Sequence, residues 1–578
     1  MPHVVTQSCC SDASCVYACP VNCIHPTPDE PDFLTAEMLH IDPASCVDCG
    51  ACVSACPVDA IVPQAKLTDT QQRYLGINAD YYKADSDTGL RGRPLLAPVT
   101  PPPSARQDVA PLRVAIVGSG PAAMYAADEL LTQPGVQVNV FDRLPTPHGL
   151  VRAGVAPDHQ RTKQVGELFE TIADQPGFEY YLGVEIGTDL SHEELLEHHH
   201  AVIYAVGASS DRRLDVPGAD LPGAASATDF VAWYNGHPDH AHREYDLSHR
   251  RAVIIGNGNV ALDVARILTA DPDRLAGTDI AAPALKALRS SRIEEVVIVG
   301  RRGIAQSAFT VPEFAGLLAE PNLRLALSPE DIELDDTSRD RERAGALEHS
   351  VAQKVRMLRE LDDREVTDGK QITLRYLSTP TRIIGDDHVT GIELAANSLV
   401  PDDDGALRAK ITDQTEILDA GLVLTSIGYR GVPVADLPFD DTTGTLPNVG
   451  GRVRSRPDGE PVRGTYAAGW IKRGPSGYIG TNKSCAQETV NALVDDFNEG
   501  LLQAPTSDAS ALKRVVRERQ PAVVDRAGWH AIDRAELRRG AEQNRVRDKI
   551  VDRAEMAALA ARAAEPVTGR GRLFARRR

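Results

Sequence analysis

The residues best suited to chemistry in this chain are cysteines, and they are concentrated at one end. Nine of the ten cysteines lie within the first 56 residues. Four of them follow the spacing Cys-x2-Cys-x2-Cys-x3-Cys-Pro, which here is Cys46, Cys49, Cys52, Cys56 and Pro57. Three thiolates at such short intervals bind one iron–sulfur cluster, and the fourth serves a second cluster. The spacing therefore predicts two clusters and one-electron transfer.

A shorter set upstream, Cys15-x3-Cys19-Pro20, repeats the last two positions of that spacing. Structural zinc favours paired Cys-x2-Cys knuckles, and this pattern does not match them. Disulfide bonds need an oxidising compartment, whereas no apolar signal segment precedes these cysteines. We therefore expect iron–sulfur clusters in a protein of the cytoplasm.

This region resembles bacterial two-cluster ferredoxins, and the resemblance implies how the thiols are shared. It assigns one [4Fe-4S] cluster to Cys19, Cys46, Cys49 and Cys52. It assigns the other cluster to Cys9, Cys15 and Cys56, with Cys10 and Cys23 as alternatives to Cys9. The first half lacks a full Cys-x2-Cys-x2-Cys run, so the second cluster is either [4Fe-4S] or [3Fe-4S]. Seven-iron ferredoxins, which the region also resembles, usually have a cysteine where this chain has Gln7.

The charge of the chain excludes one class of partner. The formal net charge is −20, and nucleic-acid binding needs a basic face. The first 70 residues contain nine carboxylates against Lys66 alone, a balance that can steer docking onto a basic protein surface. No run of 18 or more apolar residues occurs, so we expect no transmembrane segment.

A dinucleotide-binding pattern begins after a proline-rich stretch. The apolar strand 113–117 leads into Gly118-x-Gly120-x-x-Ala123 and an alanine-rich helix, and the next apolar strand ends at Asp142. Gly118 allows the tight turn, and Gly120 lets backbone amides approach a pyrophosphate at the start of the helix. An acid in the position of Asp142 binds a ribose hydroxyl in such units.

The pattern occurs a second time with a different ending. Strand 252–255 leads into Gly256-Asn257-Gly258-Asn259-Val260, and the following strand ends at Arg301 and Arg302 instead of an acid. Paired guanidiniums in that place predict a 2′-phosphate and hence NADP(H). The first unit, which has the acid, then predicts FAD.

These patterns predict an α/β fold with two Rossmann-like domains and a small α+β domain at the N-terminus. The NADP domain is expected to be inserted in the FAD domain. The predicted order is 1–70 iron–sulfur domain, 71–111 proline-rich linker, 112–214 FAD domain, 215–425 NADP domain, 426–555 second part of the FAD domain, and 556–578 basic tail. The linker is either an extended tether that lets the first domain swing or a stiff spacer packed on the surface.

Four runs resemble the adrenodoxin-reductase-like ferredoxin–NADP reductases. They are 117–123, 145–159, 300–303 with 309–313, and 468–480. The resemblance covers about 111 to 555, and with the cysteines the whole chain resembles an actinobacterial type of ferredoxin–reductase fusion. That family often has a second acid shortly after the one at Glu313, and this chain has none at Phe314 to Leu317.

The resemblance also implies which residues bind the cofactors. FAD would be bound by Ala122, Asp142, Leu150 and the loop 470–479 with Trp470, Tyr478 and Ile479. NADPH would be bound by Asn257, Gly258, Asn259, Val260, Arg301, Arg302, Glu313 and Gly477. Trp470, His159 and Glu313 are the predicted catalytic residues.

The predicted activity is electron transfer from NADPH through FAD to the clusters of the fused domain or of a separate ferredoxin. A flavin is needed because NADPH gives up two electrons together, whereas each cluster accepts one. A downstream oxidase such as a cytochrome P450 is a predicted final partner. Two alternatives are an electron-feeding subunit that resembles the small subunit of glutamate synthase, and a nucleotide-binding redox sensor.

Overall fold

The computed structural model describes residues 2–84, 96–361, 369–402 and 406–564, and it has three parts. An N-terminal domain contains the clustered cysteines, and two sheets follow, one mostly and one entirely parallel, each with a glycine-rich turn. None of the helices in these ranges is long and apolar enough to cross a membrane. The predicted α/β class, with one Rossmann-like unit inserted in the other, is confirmed.

Residues 2–84, here called the cysteine module, form two small antiparallel pairs and three helices. The strands are β1 His3–Val5, β2 Ile24–His25, β3 His40–Ile41 and β4 Ile61–Pro63, and the helices are α1 Ser14–Ala18, α2 Ala51–Ala55 and α3 Arg73–Ala84. Strand β1 pairs with β4, and β2 pairs with β3.

Helix α3 lies in the predicted linker, yet it belongs to the cysteine module. The amide of Asn78 accepts hydrogen bonds from the backbone of Val5 (3.2 Å) and Ile41 (3.0 Å), and it donates one to the Val5 carbonyl (2.9 Å). The Tyr82 hydroxyl donates to the His40 carbonyl at 2.6 Å. These contacts join the helix to β1 and β3, so the compact unit extends to residue 84.

The first dinucleotide unit contains a seven-stranded sheet. Its first three strands are β20 Asn448–Val449, β21 Arg452–Arg454 and β22 Pro461–Ala467, and β8, β5, β6 and β7 follow in that order. Its first part contains β5 Arg113–Val117, α4 Pro121–Leu131, β6 Gln137–Asp142, α5 Leu150–Ala153, α6 Gln160–Lys163, α7 Val165–Ala173, β7 Phe178–Leu182, α8 His192–His198, β8 Ala201–Tyr204 and β9 Ser210–Asp211. Strand β5 is central and buried, as its run of valine and isoleucine predicts for a parallel strand.

The second dinucleotide unit is a six-stranded parallel sheet in the order β10-β18-β11-β12-β14-β13. It contains β10 Ala224–Ser226, α9 Ala227–Tyr234, β11 Arg251–Ile255, α10 Asn259–Thr269, α11 Pro272–Leu275, α12 Ala282–Arg289, β12 Glu295–Val299, α13 Val311–Leu318, β13 Arg324–Leu327, α14 Asp336–Arg343, α15 His349–Arg359, β14 Gln371–Arg375 and β18 Leu422–Thr425. A separate antiparallel sheet is formed by β15 Ser378–Gly385, β16 Val389–Pro401 and β17 Leu407–Asp419.

The chain enters and leaves the second dinucleotide unit at one place, because β9 pairs with β19 Tyr429–Arg430. The remaining elements complete the first unit and its helical extension. They are β20 Asn448–Val449, β21 Arg452–Arg454, β22 Pro461–Ala467, α16 Trp470–Arg473, α17 Thr481–Asn498, α18 Ala509–Arg519, α19 Arg526–Glu542 and α20 Arg553–Ala564. The predicted basic tail begins within α20, and its part from residue 565 lies outside the described residues.

The described part of the predicted linker, residues 96–111, packs on the first dinucleotide unit. The backbone N–H of Ala105 donates to the Gln133 side chain at 2.9 Å, and Ala105 is buried. Asn498 accepts from the Arg106 N–H at 2.8 Å and donates to the Ser104 carbonyl at 2.9 Å. This arrangement corresponds to the packed spacer. Residues 85–95 of the predicted linker lie outside the described residues.

Candidate functional site

The first glycine of each glycine-rich turn has no room for a side chain. Gly118 has φ +103°, and a Cβ there would lie 2.4 Å from the Ala205 carbonyl oxygen. Gly256 has φ +109°, and its Cβ would lie 2.1 Å from the Ser426 carbonyl oxygen. In both units the turn passes directly over the end of a neighbouring strand, so only glycine fits.

The next glycine in each turn faces open space instead. A Cβ on Gly258 would meet no protein atom within 4 Å, and one on Gly120 would meet only the Gly149 Cα at 3.9 Å. Each glycine precedes a helix, α4 in the first unit and α10 in the second. A bare backbone at a helix start is the feature that accommodates a pyrophosphate, and both turns therefore fit a dinucleotide.

The strand ends beside the two turns differ as the sequence predicts. Asp142 accepts hydrogen bonds from the Ser119 N–H (2.9 Å), the Ser119 hydroxyl (2.5 Å) and the Leu144 N–H (2.9 Å). Burial raises the pKa of Asp142, although these donors favour its charged form. Arg301 and Arg302 are exposed, and neither guanidinium forms an ion pair within the described parts of the chain.

The second turn is tied to the helix that contains Glu313. Asn259 accepts a hydrogen bond from the Thr310 N–H at 2.8 Å, and Asn257 accepts one from the Ala308 N–H at 3.4 Å. Val260 follows on α10 and is partly buried against the core. The asparagines thereby fix the segment that leads into α13 against the start of α10.

The loop 469–480 lies against the first turn. Gly469 has φ +74°, and a Cβ there would lie 2.6 Å from the Ala122 Cβ. The Trp470 indole N–H donates to the Ser476 carbonyl at 3.1 Å, and its ring lies 5.3 Å from that of Tyr429.

The end of this loop also contains a glycine whose position has no room for a side chain. Gly477 has φ +77°, and a Cβ there would lie 2.4 Å from the Thr481 hydroxyl oxygen. That hydroxyl accepts from the Tyr478 N–H and donates to the Tyr478 carbonyl, at 2.9 and 2.8 Å. Ile479 packs against the core of the first unit, and Leu150 on α5 is exposed.

His159, Asp263 and Glu313 meet between the two units. The His159 Nδ1 lies 4.0 Å from Asp263, and its Nε2 lies 3.9 Å from Glu313. Burial raises the pKa of Glu313. The sequence prediction included His159 and Glu313 and missed Asp263, although its position on the helix after the second glycine-rich turn was visible.

A buried arginine, Arg266, holds Asp263 of this group and also Asp158. Arg266 donates to both oxygens of Asp158, at 2.6 and 3.0 Å, and to Asp263 at 2.8 Å. Although burial opposes its ionisation, Asp158 has a lowered pKa because of the Arg266 guanidinium. The local sequence does not mark Arg266 as a site residue, since its partner Asp158 comes from a segment more than 100 residues away.

Five thiols surround a small cavity in the cysteine module. It is lined by Cys19, Cys23, Cys46, Cys49 and Cys52. The Sγ atoms of Cys19 and Cys23 are 3.4 Å apart, so Cys23 lies at this cavity and not with Cys15. Burial raises the pKa of Cys52 to about 11, and ionisation of this thiol would need a nearby positive charge such as a metal cluster. The donor set fits the predicted [4Fe-4S] cluster.

The remaining module thiols, Cys9, Cys10, Cys15 and Cys56, do not line this cavity. Burial raises the pKa of Cys15, and Cys9 and Cys56 are partly buried against the core of the first dinucleotide unit. Cys10 is buried with the core of the first dinucleotide unit. The Cys10 carbonyl accepts from the Gly480 N–H at 2.7 Å, which places the backbone of Cys10 beside the loop 469–480.

Comparison with known proteins supports both the dinucleotide-binding part and the cysteine module. Residues 112–311 match the pyridine nucleotide-disulphide oxidoreductase family, and residues 39–62 match the 4Fe-4S binding domain. The chain is 55% identical to a probable ferredoxin/ferredoxin–NADP reductase of Mycobacterium tuberculosis, over 100% of this chain and 98% of the relative.

Two further similarities concern the reductase part. The chain is 45% identical to the NADPH-ferredoxin reductase FprA of Mycobacterium tuberculosis, over 77% of this chain and 98% of the relative. The structure of that FprA in complex with NADPH matches with a TM-score of 0.73 and 44% identity, over 78% of this chain and 100% of that chain. These matches favour a reductase over the glutamate-synthase-like subunit and the sensor.

High identity over the whole length, including both the cysteine pattern and the paired glycine-rich turns, settles the family. This chain belongs to the ferredoxin–NADP reductases, as an FAD-dependent oxidoreductase that transfers electrons between NADPH and an iron–sulfur ferredoxin.

Proposed function

We propose that the chain is a ferredoxin–NADP(+) reductase of the EC 1.18.1.2 type that works from NADPH towards the clusters. Its own cysteine module is the first acceptor, and a separate ferredoxin or an oxidase such as a cytochrome P450 follows. FAD, when bound, supplies the exchange between two-electron hydride chemistry and one-electron transfer. The protein itself binds, orients and shields the reacting groups.

The second dinucleotide unit binds NADPH in this proposal. Gly256 and Gly258 leave the backbone bare at the start of α10, and Arg301 and Arg302 bind the 2′-phosphate. The support is that both guanidiniums are exposed and unpaired with any described carboxylate. Burial, and then the charge of Arg301, lowers the pKa of Arg302, and a bound anion would relieve this repulsion.

The first dinucleotide unit binds FAD. Gly118, Gly120, Ala122 and Ala123 approach the pyrophosphate, and Asp142 is placed beside the same turn for the ribose. Trp470 and the loop that continues to Ile479 would cover the reactive end of the bound FAD. The predicted domains follow from this assignment, with the iron–sulfur domain extended to residue 84.

Two iron–sulfur clusters complete the proposal. Cys19, Cys46, Cys49 and Cys52 ligate a [4Fe-4S] cluster, and Cys9, Cys15 and Cys56 ligate a second cluster of three or four irons. The second group is the one that faces the flavin domain. The observation that carries this function is the hydrogen bond from the Gly480 N–H to the Cys10 carbonyl, because it joins the cysteine module to the loop that is proposed to bind FAD.

An anaerobic titration with NADPH, followed by optical and EPR spectra, tests this proposal. Flavin bleaching together with signals of reduced clusters is expected, and chemical analysis of iron, sulfide and flavin gives the cluster types. Absence of flavin from the purified chain would contradict the reductase assignment. Flavin bleaching with clusters that stay oxidised would contradict the role of the module as first acceptor.

The choice between Cys9 and Cys10 as a ligand has a matched test. Cys9→Ser is expected to remove the EPR signal and part of the iron of one cluster, and Cys10→Ser is expected to leave both. The reverse result would assign Cys10.

A further inference from the structure

Three side chains of the cysteine module contact the first turn of helix α13. Glu37 accepts a hydrogen bond from the Val311 N–H at 2.7 Å, and the Tyr74 hydroxyl donates to the Pro312 carbonyl at 3.1 Å. The third contact is from the Gln7 amide to the Glu313 carboxylate at 3.4 Å. Three consecutive residues of the second dinucleotide unit are therefore held by another domain.

Glu37 makes the strongest of these contacts. Its other oxygen lies 3.0 Å from the ammonium of Lys354 on α15, and the two side chains are only 17% and 9% exposed. Lys354 also donates to the Phe309 carbonyl at 3.3 Å, just before α13. A carboxylate at a helix start is stabilised by the free N–H groups and the helix dipole, and burial reduces screening of this ion pair.

Gln7 occupies space that α13 leaves open. A Cβ on Gly316 would lie 2.1 Å from the Gln7 amide nitrogen, so the glycine admits the module's side chain next to the helix. Glu313, which receives the Gln7 amide, belongs to the group with His159 and Asp263. The module thus reaches into the junction of the two dinucleotide units.

Helix α13 is in turn connected to the turn proposed to bind NADPH. Asn259, the first residue of α10, accepts from the N–H of Thr310, which caps α13. A chain of direct contacts therefore runs from Glu37 through Val311 and Thr310 to the glycine-rich turn.

We propose that the docked cysteine module and NADP(H) stabilise each other's binding through α13, so that the module is an internal effector of the nucleotide site. This inference rests on the proposed assignment of NADPH to the second dinucleotide unit. Binding energies are linked, so any gain in nucleotide affinity from docking equals the gain in docking from the nucleotide.

Calorimetric titration of the oxidised full-length protein with NADP+ tests this without turnover. Glu37→Gln is expected to weaken NADP+ binding by about fivefold or more, the usual lower range of such coupling. Asp32→Asn is the matched control, because Asp32 is an exposed acid of the same module that, within the described residues, forms no hydrogen bond or ion pair with α13, and the variant is expected to bind NADP+ like the parent. Unchanged affinity in Glu37→Gln would overturn the proposal.

Hydrogen exchange measures the reciprocal effect. NADP+ is expected to slow exchange in α3 and residues 30–41 of the parent protein, and to do so less in Glu37→Gln. No change in the parent on saturation with NADP+ would overturn the coupling. A parent that does not bind NADP+ at all would instead contradict the proposed function.

If Glu37→Gln loses flavin or iron, Lys354→Gln replaces it under the same criteria. If instead both single variants keep flavin and iron, the double variant provides a cycle: effects on NADP+ affinity that do not add would support a shared contact. Fully additive effects would overturn the assignment of the coupling to this pair.

Discussion

The two dinucleotide units have the same local plan and different strand ends. In both, the first glycine lies against a carbonyl of an adjacent strand and the second faces open space. The first unit ends its second strand in the half-buried acid Asp142, and the second ends its strand in the exposed Arg301 and Arg302. In the proposed assignment, the common turn provides pyrophosphate binding in both units, and a few residues at the strand end select the nucleotide.

The largest effects are expected from the first glycines. Gly118→Ala should yield protein without FAD, and Gly256→Ala should retain FAD and lose NADP+ binding, because each Cβ would collide with backbone that cannot move aside. Flavin absorbance and NADP+ calorimetry measure the two outcomes. Gly76→Ala, where a Cβ meets nothing within 4 Å, is the control and should change neither. Equal loss of both cofactors in either variant would show that the units do not act separately.

Replacing the basic strand end should change nucleotide selection. The double variant Arg301→Ala/Arg302→Ala is expected to lose on the order of 100-fold in kcat/KM for NADPH, as two charge-assisted contacts to a phosphate are removed. The kcat/KM for NADH should change little, since NADH has no 2′-phosphate. Steady-state rates with ferricyanide measure both. An equal fall for both nucleotides would contradict the phosphate assignment.

A smaller effect is expected from Asp142→Asn. The amide would turn an N–H group towards donors from Ser119 or Leu144, leaving buried donors without acceptors at a cost of about 1–3 kcal/mol. FAD should dissociate more readily, which flavin fluorescence on dilution can measure. NADP+ affinity should stay as in the parent, and a comparable loss there would contradict the division between the two units.

The smallest effect concerns the second glycine of the NADPH unit. A Cβ on Gly258 meets no protein atom, so Gly258→Ala should leave thermal stability unchanged. It should nevertheless weaken the binding of NADP+ by about tenfold, because the methyl group would occupy the space that the pyrophosphate needs. Thermal unfolding and calorimetry separate the two properties. Unchanged NADP+ affinity would show that the turn does not approach the nucleotide.

The sequence by itself determined the α/β class, both dinucleotide units and the iron–sulfur character of the N-terminal domain. These features depend on residues close together along the chain, such as Gly118 to Asp142 and Cys46 to Cys56, whose spacing fixes local geometry. The extent of the cysteine module was less predictable, because α3 follows a stretch without cysteines and joins the module through tertiary contacts such as those of Asn78 and Tyr82.

Only the tertiary structure decided where the cysteine module lies and which thiols face the flavin domain. Cys23 joins Cys19 at one cavity, Cys10 meets Gly480, and Glu37 meets Val311. The partners in the last two pairs are hundreds of residues apart, and no local preference of the backbone encodes such contacts. They follow from how the folded surfaces fit together, which burial and hydrogen bonding determine after the separate elements have formed.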